Sequence, residues 1–231
     1  MREPLRMLVC GLGVVVALGA GAAGARGQED SASDPEKQAR RERQGAGLRG
    51  GIWDVRDLTE VTGAEYSTSP AFEGYFQKGL DLHLAIESTA GVWRRRQTME
   101  QDGGLGGGTV REEVNSYVVP LFTALKLYPF TRPDDAFEPF VSAGVGLALG
   151  IDDRTTTSSD LLGLGAGSGT AMLTGFGFRG GAGVEWRFSQ AFGLSASGRY
   201  QWIRFGGELG GERTFKGPAF EAGLTYRFQY R

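Results

Sequence analysis

The chain has 231 residues, a formal net charge of −2 and 39 glycines, which suits one or two domains and favours a β-rich fold over a helical one. Without a basic excess, nucleic acid is not an expected partner. The one cysteine, Cys10, lies in an N-terminal apolar run, so a mature chain without that run could form neither a disulfide nor a cysteine metal site. No cluster of spaced ligands suggests a metal, and we expect no cofactor.

Residues 1–27 have the layout of a secretory signal peptide. Arg2 and Arg6 precede an apolar stretch over residues 7–23, and small residues follow up to Gly27. This order of charge, apolar core and small residues is typical of a cleaved export signal. An uncleaved anchor helix is the alternative, because the apolar run is nearly long enough to span a bilayer. We predict export and cleavage.

Residues 28–44 mix both charge signs and have no apolar periodicity. Such a segment does not bury enough apolar surface to fold by itself. We interpret it as a solvated periplasmic tether, with a short helix over residues 35–43 as the alternative.

From Gly45 onward the sequence alternates with a period of two. Between Thr174 and Phe188, one parity is apolar, with Phe178 and Val184, and the other holds glycine and charge, with Arg179 and Glu185. Strict alternation of this kind predicts a β-strand with one apolar and one polar face. The pattern recurs in eight predicted strands: Gly45–Val55, Pro70–Gln77, Gly79–Val92, Ser116–Leu127, Phe140–Ile151, Thr174–Phe188, Phe192–Ile203 and Phe220–Tyr230.

The connections between these strands alternate in length. Short ones occur at residues 77–80, 130–138 and 188–192, and longer ones at residues 56–69, 97–113, 152–173 and 206–215. An even strand count with short turns on one side and long loops on the other is typical of outer-membrane barrels. We therefore expect four mobile loops on the extracellular side.

The same alternation could also form a soluble, lipocalin-like barrel with the apolar parity inside. Three features favour a membrane: the polar parity is crowded with glycine and serine, the loops are sorted by length, and aromatic residues sit at strand ends as interface girdles would. These aromatic residues are Phe76, Phe188, Phe192, Phe228 and Tyr230 near the short turns, and Tyr117, Phe176, Tyr200 and Trp202 nearer the loops. The predicted fold is all-β, an eight-stranded antiparallel transmembrane up-and-down barrel over residues 45–231, located in the outer membrane.

The last strand carries the most specific feature, an alternating apolar pattern at Leu224, Tyr226, Phe228 and Tyr230. It resembles the C-terminal signal of small outer-membrane barrels of the OmpA transmembrane-domain, OmpX and OmpW type. The resemblance covers residues 45–231 and rests on pattern. It implies recognition by the outer-membrane assembly machinery through this strand, a surrounding of outer-membrane lipid and lipopolysaccharide, and a monomer.

The polar parity of the predicted strands carries both charge signs in near balance. An eight-stranded barrel has an interior that side chains just fill, so we expect these groups to pair inside the lumen, because an unpaired buried charge is costly. A polar conduit is the alternative. The predicted lumen residues are Arg49, Glu73, Asp81, His83, Glu87, Lys126, Arg179, Glu185, Arg187, Arg199, Glu221 and Arg227.

Two functions remain open at this point. The first is a structural or surface-interaction barrel with a filled lumen; the second is passive transport of small or apolar solutes, favoured by the apolar third loop with Leu161, Leu162, Leu164, Met172 and Leu173. That loop is alternatively an upward extension of the strands, which we favour. Catalysis by a serine, histidine and acid would have to use His83, the only histidine. The lipid A deacylases among similar barrels have their serine close to the histidine in sequence. No serine lies two residues after His83, so we expect no enzyme activity.

Overall fold

The protein folds into one closed antiparallel sheet of eight strands, each paired with its neighbours in the chain. The structure, a computed structural model, describes residues 43–54, 69–102, 109–130, 135–158 and 166–228. The ring closes where the first strand pairs with the last, from Gly45 opposite Arg227 to Trp53 opposite Ala219. The predicted up-and-down barrel is confirmed. The strands are β1 (Gly45–Trp53), β2 (Ser69–Gly79), β3 (Leu84–Asp102), β4 (Thr109–Leu127), β5 (Phe137–Ser158), β6 (Ala166–Arg187), β7 (Phe192–Leu209) and β8 (Glu212–Arg227).

Both ends of the barrel sequence meet at the end that carries the short turns. The backbone N–H of Phe228 donates to the carbonyl oxygen of Gln44 over 2.8 Å. The predicted signal peptide, most of the predicted tether and Tyr230 lie outside the described residues. Within the part of the chain that the structure describes, no helix is long and apolar enough to cross a membrane.

The period-two alternation sorts side chains onto the two faces of the barrel wall, because successive residues of a strand point to opposite sides. Leu48, Phe72 and Val145 are about 60% exposed on the outside, at 65%, 60% and 59%, whereas Arg49 and Glu73 are 5% exposed inside. The apolar parity therefore faces outward and the ionic parity inward. This is the reverse of the lipocalin-like alternative.

Strands β5 and β6 have 22 residues each, about twice the number that crosses a bilayer at the usual tilt. Consequently the predicted loops at residues 97–113 and 152–173 are wrong for most of their length, because β3, β4, β5 and β6 continue into them. Asp153–Ser158 pairs with β4 and carries three threonines, a residue type that favours strands. The favoured interpretation of the third loop, an extension of the strands, is confirmed for residues 152–158 and 166–173. Residues 159–165 lie outside the described residues.

The predicted loop at residues 206–215 is also wrong, since β7 and β8 are joined by two residues. Gly210 and Gly211 have φ angles of 58° and 84°. Positive φ at both central positions defines the tight hairpin turn that matches the twist of the flanking strands. The Gly-Gly pair is the sequence signal that would have found it.

Candidate functional site in the barrel lumen

A single carboxylate, that of Glu87 on β3, lies at the centre of the ionic part of the lumen. Its Oε1 is 2.9 Å from Nη1 of Arg49 and 3.4 Å from Nη2 of Arg179, and its Oε2 is 2.7 Å from Nζ of Lys126. These four residues come from β1, β3, β4 and β6, and all are buried. One carboxylate thus links four strands of the barrel.

From Lys126 the network continues toward the short-turn end. Lys126 Nζ lies 2.7 Å from Oε1 of Glu185, and Nη2 of Arg227 lies 3.3 Å from Oε2 of Glu185 and 2.9 Å from Oε2 of Glu138. Glu138 also accepts from Arg187 over 3.2 Å. Charge-assisted bonds of this kind are roughly twice as strong as neutral ones.

From Arg179 the network continues across the other side of the lumen. Glu73 Oε1 lies 3.6 Å from Nη1 of Arg179 and 2.7 Å from Nη2 of Arg199, and Arg199 also contacts Glu221. Ten of the predicted lumen residues therefore meet in one connected network: Arg49, Glu73, Glu87, Lys126, Arg179, Glu185, Arg187, Arg199, Glu221 and Arg227.

Asp81 and His83 were wrongly predicted to face the lumen. The predicted third strand began at Gly79, but β3 begins only at Leu84. Asp81 instead caps the turn, where its Oδ1 accepts the backbone N–H groups of His83 and Leu84 over 2.6 and 2.7 Å. His83 is exposed on that turn. An aspartate that bonds its own backbone in this way favours a turn over a strand.

Two members of the network, Arg43 and Glu138, were missed from the sequence. Glu138 Oε1 is 3.2 Å from Nη2 of Arg43, whose guanidinium lies 4.1 Å from the ring centroid of Tyr128. Arg43 falls in the predicted tether and Glu138 in a predicted connection. The position of Glu138, two residues before the inward Phe140, is the signal that would have placed it.

Inward-facing glycines give the charged side chains their room. A Cβ atom on Gly181 would lie 2.6 Å from Cα of Arg199, and one on Gly223 would lie 2.6 Å from Cγ of Arg49. Real Cβ atoms essentially never come this close, and backbone carbonyl oxygens of the neighbouring strands lie nearer still, so a larger residue would displace the neighbouring strand and the charged side chain it carries. The glycines of the polar parity thus leave the space that its long charged side chains occupy.

Above the ionic network the lumen changes to an aromatic layer. The ring centroids of Trp53 and Trp93 are 4.9 Å apart, those of Trp93 and Phe215 are 5.8 Å apart, and those of Phe205 and Phe215 are 5.5 Å apart. Leu209 fills the same cluster and is fully buried. We call this cluster the aromatic layer. It was not predicted, because its members share the parity that carries charge elsewhere along the strands.

The tip of the β7–β8 hairpin covers the aromatic layer. Strand β7 leaves β6 after Phe205, which lies opposite Gly175. The N–H of Gly210 then donates to Oδ2 of Asp152 on β5 over 2.5 Å, and Ser116 Oγ on β4 donates to its Oδ1 over 2.6 Å. Asp152 is 1% exposed. We call this contact the Asp152 latch, which holds the hairpin tip over the lumen.

A cavity of about 10 Å³ lies among the ionic side chains, lined in part by Arg49, Lys126 and Arg199, and this is room for about one water molecule. Among the described residues, no group of three or more histidine, cysteine or acidic residues is arranged to hold a metal ion.

The outer surface carries an apolar belt between two aromatic girdles. At the short-turn end the ring centroids of Phe76 and Phe228 are 6.1 Å apart, and those of Phe192 and Tyr226 are 5.4 Å apart. A closed barrel with all strands paired and an apolar exterior is the β-structure that can span a membrane. The protein is an outer-membrane β-barrel. Leu224, Tyr226 and Phe228 of the predicted assembly signal lie on this outer face, and their role in assembly stays a prediction.

Comparison with known proteins finds solved structures with a similar fold. No protein-family profile and no curated protein matches the sequence. The barrel is similar to the solved structures of OprG from Pseudomonas aeruginosa (15% identity, 84% of this chain and 99% of that chain, TM-score 0.48), Ail from Yersinia pestis (13%, 80% and 99%, 0.44) and Neisserial surface protein A (12%, 81% and 97%, 0.42). Identities this low say nothing about what the barrel binds.

Proposed function

We propose that this protein is a closed outer-membrane barrel with a structural and surface-interacting role. The observation that supports it is the stacking of three fillings in one lumen: the ionic network, the aromatic layer and the hairpin tip held by the Asp152 latch. An ion entering this lumen would have to displace side chains whose buried charges are already paired, which costs several kcal/mol per broken pair. The barrel wall then serves to hold the extended hairpins at the cell surface.

Planar-bilayer recording of the folded full chain tests this proposal. We expect no steady conductance in molar potassium chloride. The Phe205→Ala/Phe215→Ala variant removes two rings of the aromatic layer but keeps the ionic network. It serves as the control for ion leakage through a loosened upper lumen. Large, steady channels from the unaltered protein would contradict the proposal.

The surface that would meet a partner is formed by the hairpins β3–β4 and β5–β6, which continue beyond the apolar belt. Polar groups are exposed at this height: Arg94 Nη2 donates to Oδ1 of Asn115 over 2.8 Å, and Asp153 is exposed. We infer a monomer in outer-membrane lipid, inserted by the assembly machinery through β8.

Passive transport of small apolar solutes is the second candidate, and one observation favours it. The β6–β7 ladder ends at Gly175 and Phe205, while β6 continues to Ala166 beside β5 alone. An apolar solute could enter the wall at this divergence, where Met172 is exposed and Leu173 packs against the aromatic layer. Deleting residues 154–168 and measuring uptake into liposomes tests this idea, and unchanged uptake would remove it.

We expect no lipid A acyl chemistry from this barrel. His83 lies at the short-turn end on an exposed turn, and its neighbour Asp81 bonds backbone N–H groups with Oδ1. Acylation assays on the unaltered protein and on His83→Ala should give the same lipid A profile. A change that depends on His83 would restore the enzyme hypothesis.

A further inference from the structure

The outward face of β7 and β8 carries two cations at the upper edge of the apolar belt. Arg204 lies opposite Thr214, and Lys216 lies opposite Trp202, two residue pairs further down on the same face. Diagonal neighbours of this kind have their Cβ atoms about 7 Å apart, so both side chains can reach one anionic group between them. Within the described residues neither cation forms an ion pair, whereas nearby Arg213 lies 3.5 Å from Glu208.

An aromatic wall lies directly beneath this pair of cations. Arg204 lies opposite Phe176 on β6, and the rings of Phe176 and Trp202 are 5.5 Å apart. The Phe178 ring is 5.7 Å from Trp202, and Tyr200 is 53% exposed on the same face. Cations above and aromatic rings below form a surface that is charged at one end and apolar at the other.

The fold places this surface at one leaflet. The short turns and both ends of the barrel sequence lie at the opposite end, and short turns face the periplasm in such barrels. The Arg204–Lys216 pair therefore lies at the outer-leaflet interface. The lipid there is a phosphorylated glycolipid with acyl chains, whose phosphate and chains match the two halves of the surface.

We propose that Arg204 and Lys216 bind a phosphate of an outer-leaflet glycolipid, with its acyl chains lying on the Phe176, Phe178 and Trp202 rings. Arginine and lysine both suit phosphate, the first through paired N–H donors and the second as a point charge. The inference rests on the outer-membrane orientation and not on the closed lumen, so a conducting lumen would leave it standing.

Titration of the folded full chain with diphosphoryl lipid A, followed by native mass spectrometry in detergent, tests the site. The Arg204→Gln/Lys216→Gln variant should bind about 25-fold more weakly, since each cation near an anionic lipid surface contributes about a fivefold factor. The matched control Lys78→Gln/Arg213→Gln removes two exposed cations outside the pair, one at the short-turn end and one in the β7–β8 hairpin that is already ion-paired with Glu208, and should bind as the unaltered protein does. The slower gel mobility of boiled protein verifies that each variant is folded.

Two further arms separate the lipid from other anions. Dephosphorylated lipid A should bind the unaltered protein as weakly as diphosphoryl lipid A binds the double variant. Inorganic phosphate at the same concentration should not compete, because it lacks acyl chains for the aromatic wall. Equal binding by the double variant, an equal loss in the control variant, or competition by inorganic phosphate would each overturn the proposal.

Discussion

The lower half of the lumen is filled largely by ion pairs and the upper half largely by aromatic rings, although both fillings use the same inward parity. In the lower half, Glu87 and its partners use charge, and in the upper half, Trp93 and Phe215 use aromatic packing. Charged groups taken from water depend on complete pairing, whereas rings gain from contact area and tolerate rearrangement. Period-two alternation therefore specifies which side of the wall a residue faces, while the kind of filling varies along the barrel.

Breaking the ionic half at its centre should have the largest effect. Glu87→Gln leaves Arg49, Lys126 and Arg179 without the carboxylate they share. We expect a loss of about 4 kcal/mol in the free energy of unfolding, the usual cost of an uncompensated buried charge, measured by urea unfolding in lipid vesicles. Glu208→Gln, the same change at an exposed site, should have little effect. If Glu87→Gln were as stable as the unaltered protein, water or ions would have access to the network.

Removing a ring from the aromatic half should cost somewhat less. Phe215→Ala creates a cavity beside Trp93 and Phe205, and we expect a loss of about 3 kcal/mol in the same unfolding assay. Phe220→Ala on the same strand is the matched control, because Phe220 faces outward and lipid chains replace its contacts. A larger loss for Phe220 than for Phe215 would reverse the assignment of the two faces.

The fit between glycines and charged side chains can be tested with neighbouring positions. Gly181→Ala places a methyl group against Arg199 and should cost about 2 kcal/mol by overpacking. At Gly180 the nearest heavy atom to an added Cβ is 3.7 Å away, so Gly180→Ala should be near neutral. The same unfolding assay measures both, and equal effects would show that the lumen has spare room.

The smallest effect is expected at the Asp152 latch, since it closes the upper half locally. Asp152→Ala removes the acceptor of Gly210 N–H and Ser116 Oγ, and we expect a loss of about 1 kcal/mol. Hydrogen exchange of the Gly210 amide should become faster while β8 amides beside β1 keep their protection. The Asp153→Ala variant is the control at the adjacent exposed position. Unchanged exchange at Gly210 would mean that the hairpin tip is held by other contacts.

Alternation predicted the barrel because it is a local property of each strand. The inward and outward parities of the Thr174–Phe188 segment could be predicted in full, as could ten of the lumen charges. Strand ends could not, because beyond the membrane both faces of β5 are polar and the alternation disappears although the backbone ladder continues. Asp81 and His83 were misplaced for the related reason that a turn adjoining a strand can share its alternation.

The upper half of the lumen was beyond prediction for a different reason. Its closure depends on β7 leaving β6 after Phe205 and crossing to Asp152 on β5, a contact between strands that are not neighbours in the sheet. Glycine pairs indicate a turn, but they do not indicate the direction in which the hairpin leans. Which inward rings meet above the network therefore follows from tertiary structure alone.

Tryptophan fluorescence quenching by brominated lipid tests most directly which face meets hydrocarbon. Trp53 and Trp93 face the lumen, whereas Trp186 and Trp202 face outward. In vesicles with brominated acyl chains, a Trp53→Phe/Trp93→Phe variant should be strongly quenched, and a Trp186→Phe/Trp202→Phe variant should keep most of its emission. The opposite result, with the lumen pair quenched and the outward pair protected, would contradict the orientation of the barrel wall.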